Sequence, residues 1–334
     1  CYSCTARCGK KHHITSGPYA GAWSEGPEYE SIWAFTGSID NTDIPATVAA
    51  DQLCDDLGLD TISAGNAVGF AFELYQKGLI SKSDTDGLEL TYGNHAAMLA
   101  MLGKIGRREG FGDVLADGVA RAAKVIGRGS EVFAMHSKGL EFPAYEPRAA
   151  RAHGLNFATS NIGASHCFGY ARQEVFGVPV PRPVDRFAET GKGDITAYNQ
   201  DSTAMAETGI VCTFAAGWQW FGQLYPKMLA AATGIKEFAD PEYMRKAGER
   251  IYNLERLFNI REGFGRKDDT LPARCQTEAL EQPGGPSDGQ VYRNLQGLLD
   301  EYYQARGWSS EGVPSQAKLK ELGLEWAWKM YAGR

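Results

Sequence analysis

The chain has 334 residues, 43% of them hydrophobic and 22% charged, so it is long enough to bury one large core or two medium ones. Its formal net charge of −7 argues against nucleic acid as a partner, because nucleic-acid binding requires clustered Lys and Arg. No apolar run reaches the length of about eighteen residues that a membrane-spanning helix needs, so we expect no membrane insertion.

Apolar residues recur at helical spacing along most of the chain, and glycine and proline divide it into helix-length segments. Continuous β-branched runs are scarce, which disfavours a parallel sheet. The predicted fold is therefore mainly α. We place a domain division before the segment Met135–Arg151, giving a first helical domain over residues 1–135 and a second over residues 136–334. The predicted helices are Thr47–Gly58, Asn94–Arg107, Phe111–Ile126, Pro241–Phe258, Tyr292–Tyr303 and Gln316–Gly323.

The seven cysteines are an odd number and are unevenly spread, whereas a disulfide framework would be dense and even-numbered. This usage predicts a reducing, cytoplasmic compartment. The chain begins at Cys1, inside a cysteine cluster, so we expect it to start within a longer protein.

The cysteine cluster reads Cys1-x2-Cys4-x3-Cys8. Iron–sulfur clusters are held by thiolates, and this spacing lets a short loop supply three of them, with a fourth ligand from elsewhere in the chain. The alternative is a structural zinc site that His12 or His13 completes.

A second motif, Asp55-x2-Gly58-Leu59-Asp60, has two interpretations. In the structural one, Gly58 ends a helix and Asp60 caps the next. In the functional one, the carboxylates accept hydrogen bonds from the NH-rich edge of a bound heterocycle.

The segment from Gly154 to Cys167 is small, polar and glycine-rich, and it predicts a loop held against a ligand. His166 in this segment is a candidate proton carrier near neutral pH, although most histidines are structural. Cys167 is either a soft metal ligand or an ordinary thiol.

Glu28 and Glu30 lie two residues apart in an aromatic setting, within the motif Gly26-Pro-Glu-Tyr-Glu30. One carboxyl there can have a raised pKa and act as a general base, or both can be solvated surface groups.

Together these segments resemble the tungsten-containing aldehyde:ferredoxin oxidoreductase family. The motifs follow that family's order: the cysteine cluster, GPEYE, D-x-x-G-L-D, a TSN-x-G-x-x-H loop ending at His166, and a late cysteine at Cys212. The stretch from Lys138 to Arg148 and the final segment, Tyr302 to Leu324, also match. The resemblance covers essentially the whole chain, as the C-terminal portion of such an enzyme.

The resemblance implies a multihelical two-domain region, a [4Fe–4S] cluster, a tungsten or molybdenum bis-pterin, and Mg²⁺ bridging the pterin phosphates. The family's second pterin motif reads Glu207 to Val211 here, with glutamate in place of the usual aspartate and isoleucine in place of glycine. The implied cluster ligands are Cys1, Cys4, Cys8 and Cys212, and the implied pterin contacts are Asp55, Gly58, Leu59, Asp60, Glu207 and Val211.

The resemblance also implies a reaction: oxidation of an aldehyde to a carboxylic acid, with ferredoxin as electron acceptor. His166 and one of Glu28 and Glu30, with Glu30 favoured, match the family's residues near the metal. The family's N-terminal pterin-binding domain is absent from this sequence, so we expect the isolated chain to be inactive. Ala49 and Gln52 replace the glutamate and histidine that bridge some family dimers through a metal, so we expect no bridging ion, although a homodimer is compatible with the sequence.

Two other functions stay open. Related tungsten proteins are subunits of complexes that reduce aromatic acyl-CoA thioesters, and this sequence is compatible with such a role. A non-catalytic zinc-binding helical module is the more distant alternative, and it predicts zinc at the cysteine cluster with no role for Cys212.

Overall fold

The computed structural model describes Tyr2, Cys4 and residues 6–216 and 224–331. In this part of the chain the fold is mainly α, as the sequence predicts. The strands that it contains form two antiparallel two-stranded ribbons, β1 (His12–His13) with β2 (Trp23–Ser24) and β3 (His136–Ser137) with β4 (Leu140–Glu141).

The chain forms two compact units. The first comprises residues 7–144, and the second comprises residues 145–334 together with residues 2–6. The domain division at residue 135 stays a prediction. No helix among the described residues is both long enough and apolar enough to cross a bilayer.

The helices of the first unit begin and end where capping chemistry dictates. Asp43 accepts a hydrogen bond from the Ala46 amide at 2.7 Å, and Asn94 accepts one from the Ala97 amide at 3.1 Å. Gly58 ends one helix in the left-handed conformation, with φ of +67°. The helices are α1 (Tyr29–Phe35), α2 (Ile44–Leu57), α3 (Thr61–Gln76), α4 (His95–Arg107), α5 (Phe111–Leu115) and α6 (Val119–Ile126), followed by a 3₁₀ turn at Ser130–Phe133.

Small residues let α1 and α3 pack closely. A Cβ placed on Gly65 would lie 2.9 Å from the carbonyl oxygen of Ala34, so only glycine fits there. The hydroxyls of Ser31 and Thr61 lie 2.8 Å apart at the same interface. Burial of apolar side chains from α1, α3 and α4, such as Phe72 and Met98, completes the core. This packing fixes α1, which carries Glu30.

The prediction of one continuous helix over Phe111–Ile126 is wrong. Gly118 has φ of +85°, a conformation that interrupts a right-handed helix. The amide of Val119 donates to Glu141 Oε1 at 2.8 Å. Because glycine and a buried glutamate together make the break favourable, the apolar stripe is divided between α5 and α6.

The second unit contains the remaining helices, and glycines again permit close crossings: a Cβ on Gly248 of α12 would collide with the backbone of Asp201 on α9. The unit contains buried ion pairs, with the Arg256 guanidinium 2.8 Å from Asp269 and Arg306 paired with Asp201, and removing one partner would leave a buried charge uncompensated. The helices are α7 (Arg151–Thr159), α8 (Arg172–Val175), α9 (Gly193–Glu207), α10 (Thr213–Ala216), α11 (Tyr225–Thr233), α12 (Pro241–Arg261), α13 (Ala273–Thr277), α14 (Leu295–Arg306), α15 (Gln316–Glu321) and α16 (Glu325–Tyr331), with 3₁₀ turns at Pro147–Ala149, Lys236–Ala239 and Arg266–Asp268.

The prediction of a loop from Gly154 onward is also wrong for its first half. Residues 151–159 form α7, and every one of them is buried. Position 154 requires glycine because the ring of Tyr292 packs against it. A Cβ on Gly154 would lie only 2.5 Å from that ring. The polar side chain of Asn156 faces internal partners, donating to the Ser165 carbonyl at 3.0 Å. The small and polar composition therefore reflects a crowded core helix, and the loop begins at Ser160.

Candidate functional site

Glu30 lies in the first turn of α1, in the first unit. Its Oε2 accepts a hydrogen bond from the Ala144 amide at 2.8 Å. Burial raises the pKa of this carboxyl above its ordinary value, and the hydrogen bond from Ala144 opposes the shift. A half-buried carboxyl with a raised pKa suits a residue that exchanges protons near neutral pH.

Glu28 occupies a different environment. It precedes α1 at the N-cap position, its side chain is 58% exposed, and it lies 3.9 Å from Lys10 in a surface ion pair. The structure therefore distinguishes the two glutamates of the motif: Glu28 is solvated and Glu30 is enclosed. This difference favours Glu30 as the proton-exchanging group.

The Asp55–Asp60 segment is the turn between α2 and α3. The amide of Leu59 donates to the Cys54 carbonyl at 2.8 Å, and Asp60 Oδ1 accepts from the Ser63 amide at 2.7 Å. The structural interpretation, a helix end followed by a helix cap, is thus confirmed. The functional interpretation is compatible with it, because Asp55 and Asp60 are exposed and no atom lies within 4 Å of a Cβ placed on Gly58. These carboxylates are free to accept hydrogen bonds from a donor-rich ring, so the segment fits the edge of a pterin.

The described cysteines fall into two classes. Cys8, Cys167 and Cys212 are exposed, Cys4 is half-buried, and none of the four is in a disulfide. Cys54 and Cys275 are buried, and burial raises the pKa of each thiol to about 12. A buried thiol that resists ionisation is a poor metal ligand, so the chemistry of the accessible set fits the predicted cluster ligands.

Cys1 lies outside the described residues, so the grouping of the full cysteine set is not seen. Among the residues that the structure does describe, no three His, Cys, Asp or Glu side chains are grouped to hold a metal ion. His12, a candidate in the zinc alternative, lies in β1 with its Nδ1 at 2.5 Å from the Gly26 carbonyl oxygen. Gln52, one of the two residues for which the resemblance predicts no bridging ion, accepts a hydrogen bond from the Trp23 amide at 2.9 Å.

In the second unit, the loop that carries His166 is anchored on both sides. The Asn161 amide group donates to the Tyr252 carbonyl at 3.1 Å, and Asn259 donates to the Asn161 carbonyl at 2.7 Å, which ties the loop to α12. Asn156 of α7 holds the Ser165 carbonyl just before His166. The TSN motif therefore positions the loop, and the histidine is the group that it presents.

His166 is half-buried among aromatic rings. Its imidazole stacks on the ring of Tyr145, with centroids 5.5 Å apart and an interplanar angle of 21°, and its Nε2 lies 3.2 Å from Cys167 Sγ. A second histidine, His153 of α7, contacts the same tyrosine ring at 5.0 Å. Sequence analysis did not single out Tyr145 or His153. The only signal for the tyrosine was its place in the matching stretch Lys138–Arg148.

The late-cysteine segment follows α9. Glu207 ends that helix, and burial raises the pKa of its carboxyl. Val211 and Cys212 are exposed. Ile210, at the position where the resemblance leads one to expect glycine, has φ of +52°. This left-handed backbone suits glycine and is strained for a β-branched residue.

Comparisons with known proteins identify the family of this helical chain. Residues 1–324 match the family model described as "Aldehyde ferredoxin oxidoreductase, domains 2 & 3". The chain therefore belongs to the aldehyde ferredoxin oxidoreductase family, as a C-terminal portion.

The chain spans about half the length of the curated relatives it matches. It is 39% identical over 333 residues to a tungsten-containing aldehyde ferredoxin oxidoreductase of Pyrococcus abyssi, covering 97% of this chain and 52% of the relative. The corresponding protein of Pyrococcus furiosus is 38% identical over 330 residues, with the same coverage. An aliphatic sulfonate oxidoreductase, WOR-like subunit, of Pyrococcus furiosus is 29% identical, covering 97% of this chain and 50% of that subunit.

A solved structure has the same fold. The active-site complex of benzoyl coenzyme A reductase, bound to 1,5-dienoyl-CoA, contains a chain that superposes with a TM-score of 0.72 at 26% identity. The match covers 92% of this chain and 50% of that one.

Proposed function

We propose that the protein to which this chain belongs oxidises aldehydes to carboxylic acids and passes the electrons to ferredoxin. The relatives that match at 38–39% identity are named as tungsten-containing aldehyde ferredoxin oxidoreductases. The observation that carries the proposal is the enclosed carboxyl of Glu30, whose pKa is raised by burial, on a motif that the sequence shares with that family.

Glu30 would act as the proton acceptor. Adding water to an aldehyde and oxidising the adduct gives a carboxylic acid, two electrons and two protons, so a base must remove protons from water. A carboxyl whose pKa lies above its usual range is a stronger base once ionised and exchanges protons closer to neutral pH. The hydrogen bond from Ala144 fixes one oxygen and thereby orients the carboxyl.

His166 would hydrogen-bond the carbonyl oxygen of the aldehyde or carry a proton away from it. An imidazole serves either purpose, because it donates or accepts near neutral pH. Each group has its own support: the Ala144 amide donates to Glu30 in the first unit, and the Tyr145 ring stacks on His166 in the second unit.

The cofactor ligands are proposals of the same kind. Cys1, Cys4, Cys8 and Cys212 would hold a [4Fe–4S] cluster. Asp55, Gly58, Leu59, Asp60, Glu207 and Val211 would contact a tungsten or molybdenum bis-pterin whose phosphates Mg²⁺ bridges. When bound, the pterin metal supplies two-electron redox chemistry and the cluster supplies one-electron transfer. An N-terminal pterin-binding domain would complete the site, in a cytoplasmic enzyme compatible with a homodimeric state.

The test is steady-state kinetics on the longer protein, loaded with metal, carrying Glu30→Gln or His166→Asn. We expect each change to lower kcat/KM for aldehydes by about 10²- to 10⁴-fold, the usual worth of a positioned acid or base. Glu28→Gln is the matched control, because Glu28 is exposed, and it should retain activity. The iron and tungsten contents of both variants must equal those of the wild type, so that the loss of activity is not a loss of cofactor. Full activity in both variants would remove these residues from the mechanism.

A second candidate function is reduction of an aromatic acyl-CoA thioester, which the likeness to the benzoyl coenzyme A reductase complex favours. Substrate profiling of the longer protein with aldehydes and acyl-CoA thioesters separates the two. Turnover of the thioester alone would select the second candidate.

A further inference from the structure

His153 is an unusual residue for a helix core. It lies on α7 with no exposed surface, and its Nδ1 accepts a hydrogen bond from the Ala171 amide at 3.3 Å. With Nδ1 as acceptor, the proton of the neutral ring is on Nε2. Nε2 is buried and has no hydrogen-bond partner among the described residues. A leucine or phenylalanine would fill this volume without burying a polar N–H group.

The surroundings of His153 are aromatic. The centroid of its ring lies 5.0 Å from that of Tyr145, 4.6 Å from that of Phe157 and 5.1 Å from that of Tyr170. The interplanar angles with Tyr145 and Phe157 are 64° and 66°. The Tyr145 and Phe157 rings are steeply inclined to the imidazole plane, an arrangement that is favourable between aromatic rings. His153 therefore holds the aromatic group by directional contacts that an aliphatic side chain cannot make.

Tyr145 connects His153 to His166. The phenol ring takes the edge contact from His153 and stacks on the His166 imidazole at 5.5 Å. The ring centroid of Tyr170 lies 5.2 Å from that of Tyr145 and 6.3 Å from that of His166, so Tyr170 packs against both rings. Cys167 restrains the His166 ring at Nε2. The plane of the His166 imidazole is thus set by stacking on Tyr145 and by the T-shaped contact with Tyr170.

We propose that Tyr145 is a positioning residue for His166 and that His153 holds Tyr145 in place, so that the imidazole plane is set before a substrate carbonyl oxygen arrives. This inference rests on the proposed function for its catalytic meaning. The geometric part, that the tyrosine ring orients His166, is testable without turnover.

The first test is NMR of the 334-residue chain labelled with ¹³C and ¹⁵N at histidine only. The six histidines give few signals, and His166→Asn assigns the relevant one. Ring protons stacked on a phenol ring are shifted upfield. We expect the His166 C–H signals to keep this shift in Tyr145→Phe, which retains the ring, and to move downfield in Tyr145→Leu. His153→Leu should move them in the same direction by a smaller amount.

Two measurements report on folding in each variant. The His95 signal, from a ring bonded to the Tyr19 hydroxyl at 2.6 Å, reports on the first unit. A cooperative thermal unfolding transition reports on the whole chain, because His153 contacts Tyr145 and its own signal moves with that ring. Identical His166 shifts in the Phe and Leu variants, with both reporters unchanged, would overturn the positioning role. A variant that loses the reporters has unfolded, and the milder pair Tyr145→Phe and Tyr145→Met then supplies the same comparison.

The second test is kinetics of the metal-loaded longer protein. Tyr145→Leu should lower kcat for aldehydes at least tenfold with KM little changed, and Tyr145→Phe should restore kcat. Unchanged kcat in the Leu variant would overturn the catalytic meaning of the positioning. If the NMR shifts behave as expected and no aldehyde turns over in the wild type, the proposed function has failed and the positioning of His166 has not.

Discussion

At the scale of single residues, burial decides which side chains of this protein are chemically available. Glu28 and Glu30 are two residues apart, yet one is exposed and the other is enclosed with a raised pKa. The cysteines separate in the same way, because Cys54 and Cys275 are buried with thiol pKa values of about 12 while Cys212 is exposed. Sequence alone indicates the residue types, and local solvent exclusion sets their protonation.

His153 gives a pH prediction. Burial lowers the pKa of its imidazole to about 3 from the ordinary 6.5, with a further contribution from His166. Below pH 6.5 the unfolded chain binds a proton at this residue that the folded chain does not bind. We therefore expect His153 to make the free energy of unfolding fall by about 1.4 kcal/mol per pH unit as the pH is lowered toward 3.

Urea unfolding between pH 7 and pH 4.5 measures this slope. His153→Phe should unfold more easily near pH 7, because the Ala171 amide loses its acceptor, and its stability should depend less steeply on pH. His13→Gln, at an exposed position, is the control and should keep the wild-type slope. A His153→Phe slope as steep as that of the wild type would show that the imidazole is protonated in the folded protein.

At the scale of helices, backbone approach distances matter more than propensity. Gly65 sits inside α3, where glycine costs about 1 kcal/mol relative to alanine, yet it allows α1 to pack closely and so fixes the helix that carries Glu30. Gly118 has the opposite role: its positive φ separates α5 from α6. The same residue type thus joins two helices in one place and ends a helix in another, and only the packed structure distinguishes the two roles.

Gly65→Ala tests the close approach. The added methyl group would meet the backbone and Cβ of Ala34, so we expect a loss of about 1–3 kcal/mol of stability, as for other overpacked cores. Gly103→Ala in α4 is the matched control, since its Cβ would meet only the movable end of the Arg107 side chain, 3.0 Å away. The control should be neutral or slightly more stable. Thermal unfolding of both variants measures these changes in stability. Equal stability of Gly65→Ala and the wild type would contradict a close approach of α1 to α3.

At the scale of the whole molecule, the chain is about half of the length of its curated relatives, so its cofactor chemistry has to be considered with the remainder of such a protein. The cysteines offer a direct test. We expect anaerobic reconstitution with iron and sulfide to protect Cys1, Cys4, Cys8 and Cys212 from iodoacetamide, because thiolates bound to iron do not alkylate.

Mass spectrometry of the alkylated peptides reads out the protection. Cys167, exposed and outside the proposed ligand set, is the internal control and should remain reactive. Four irons in the chain, with tungsten bound only by the longer protein, would support both the cluster and a shared pterin site. Zinc in place of iron, with Cys212 still reactive, would instead support the zinc-binding module.

The sequence by itself determined the helical class and the order of the motifs, because these depend on periodicity, capping residues and short spacings that are local in the chain. The family followed from the resemblance that those motifs carry. Five of the six predicted helices followed from the same rules, as with Gly58 at the end of α2, although that helix begins at Ile44 rather than at the predicted Thr47. Only the tertiary structure decided that residues 151–159 are a buried helix, that Glu30 is half-buried while Glu28 is exposed, and that the Tyr145 ring contacts both His153 and His166. Those outcomes depend on contacts between segments distant in sequence, which exclude water and so set both conformation and protonation.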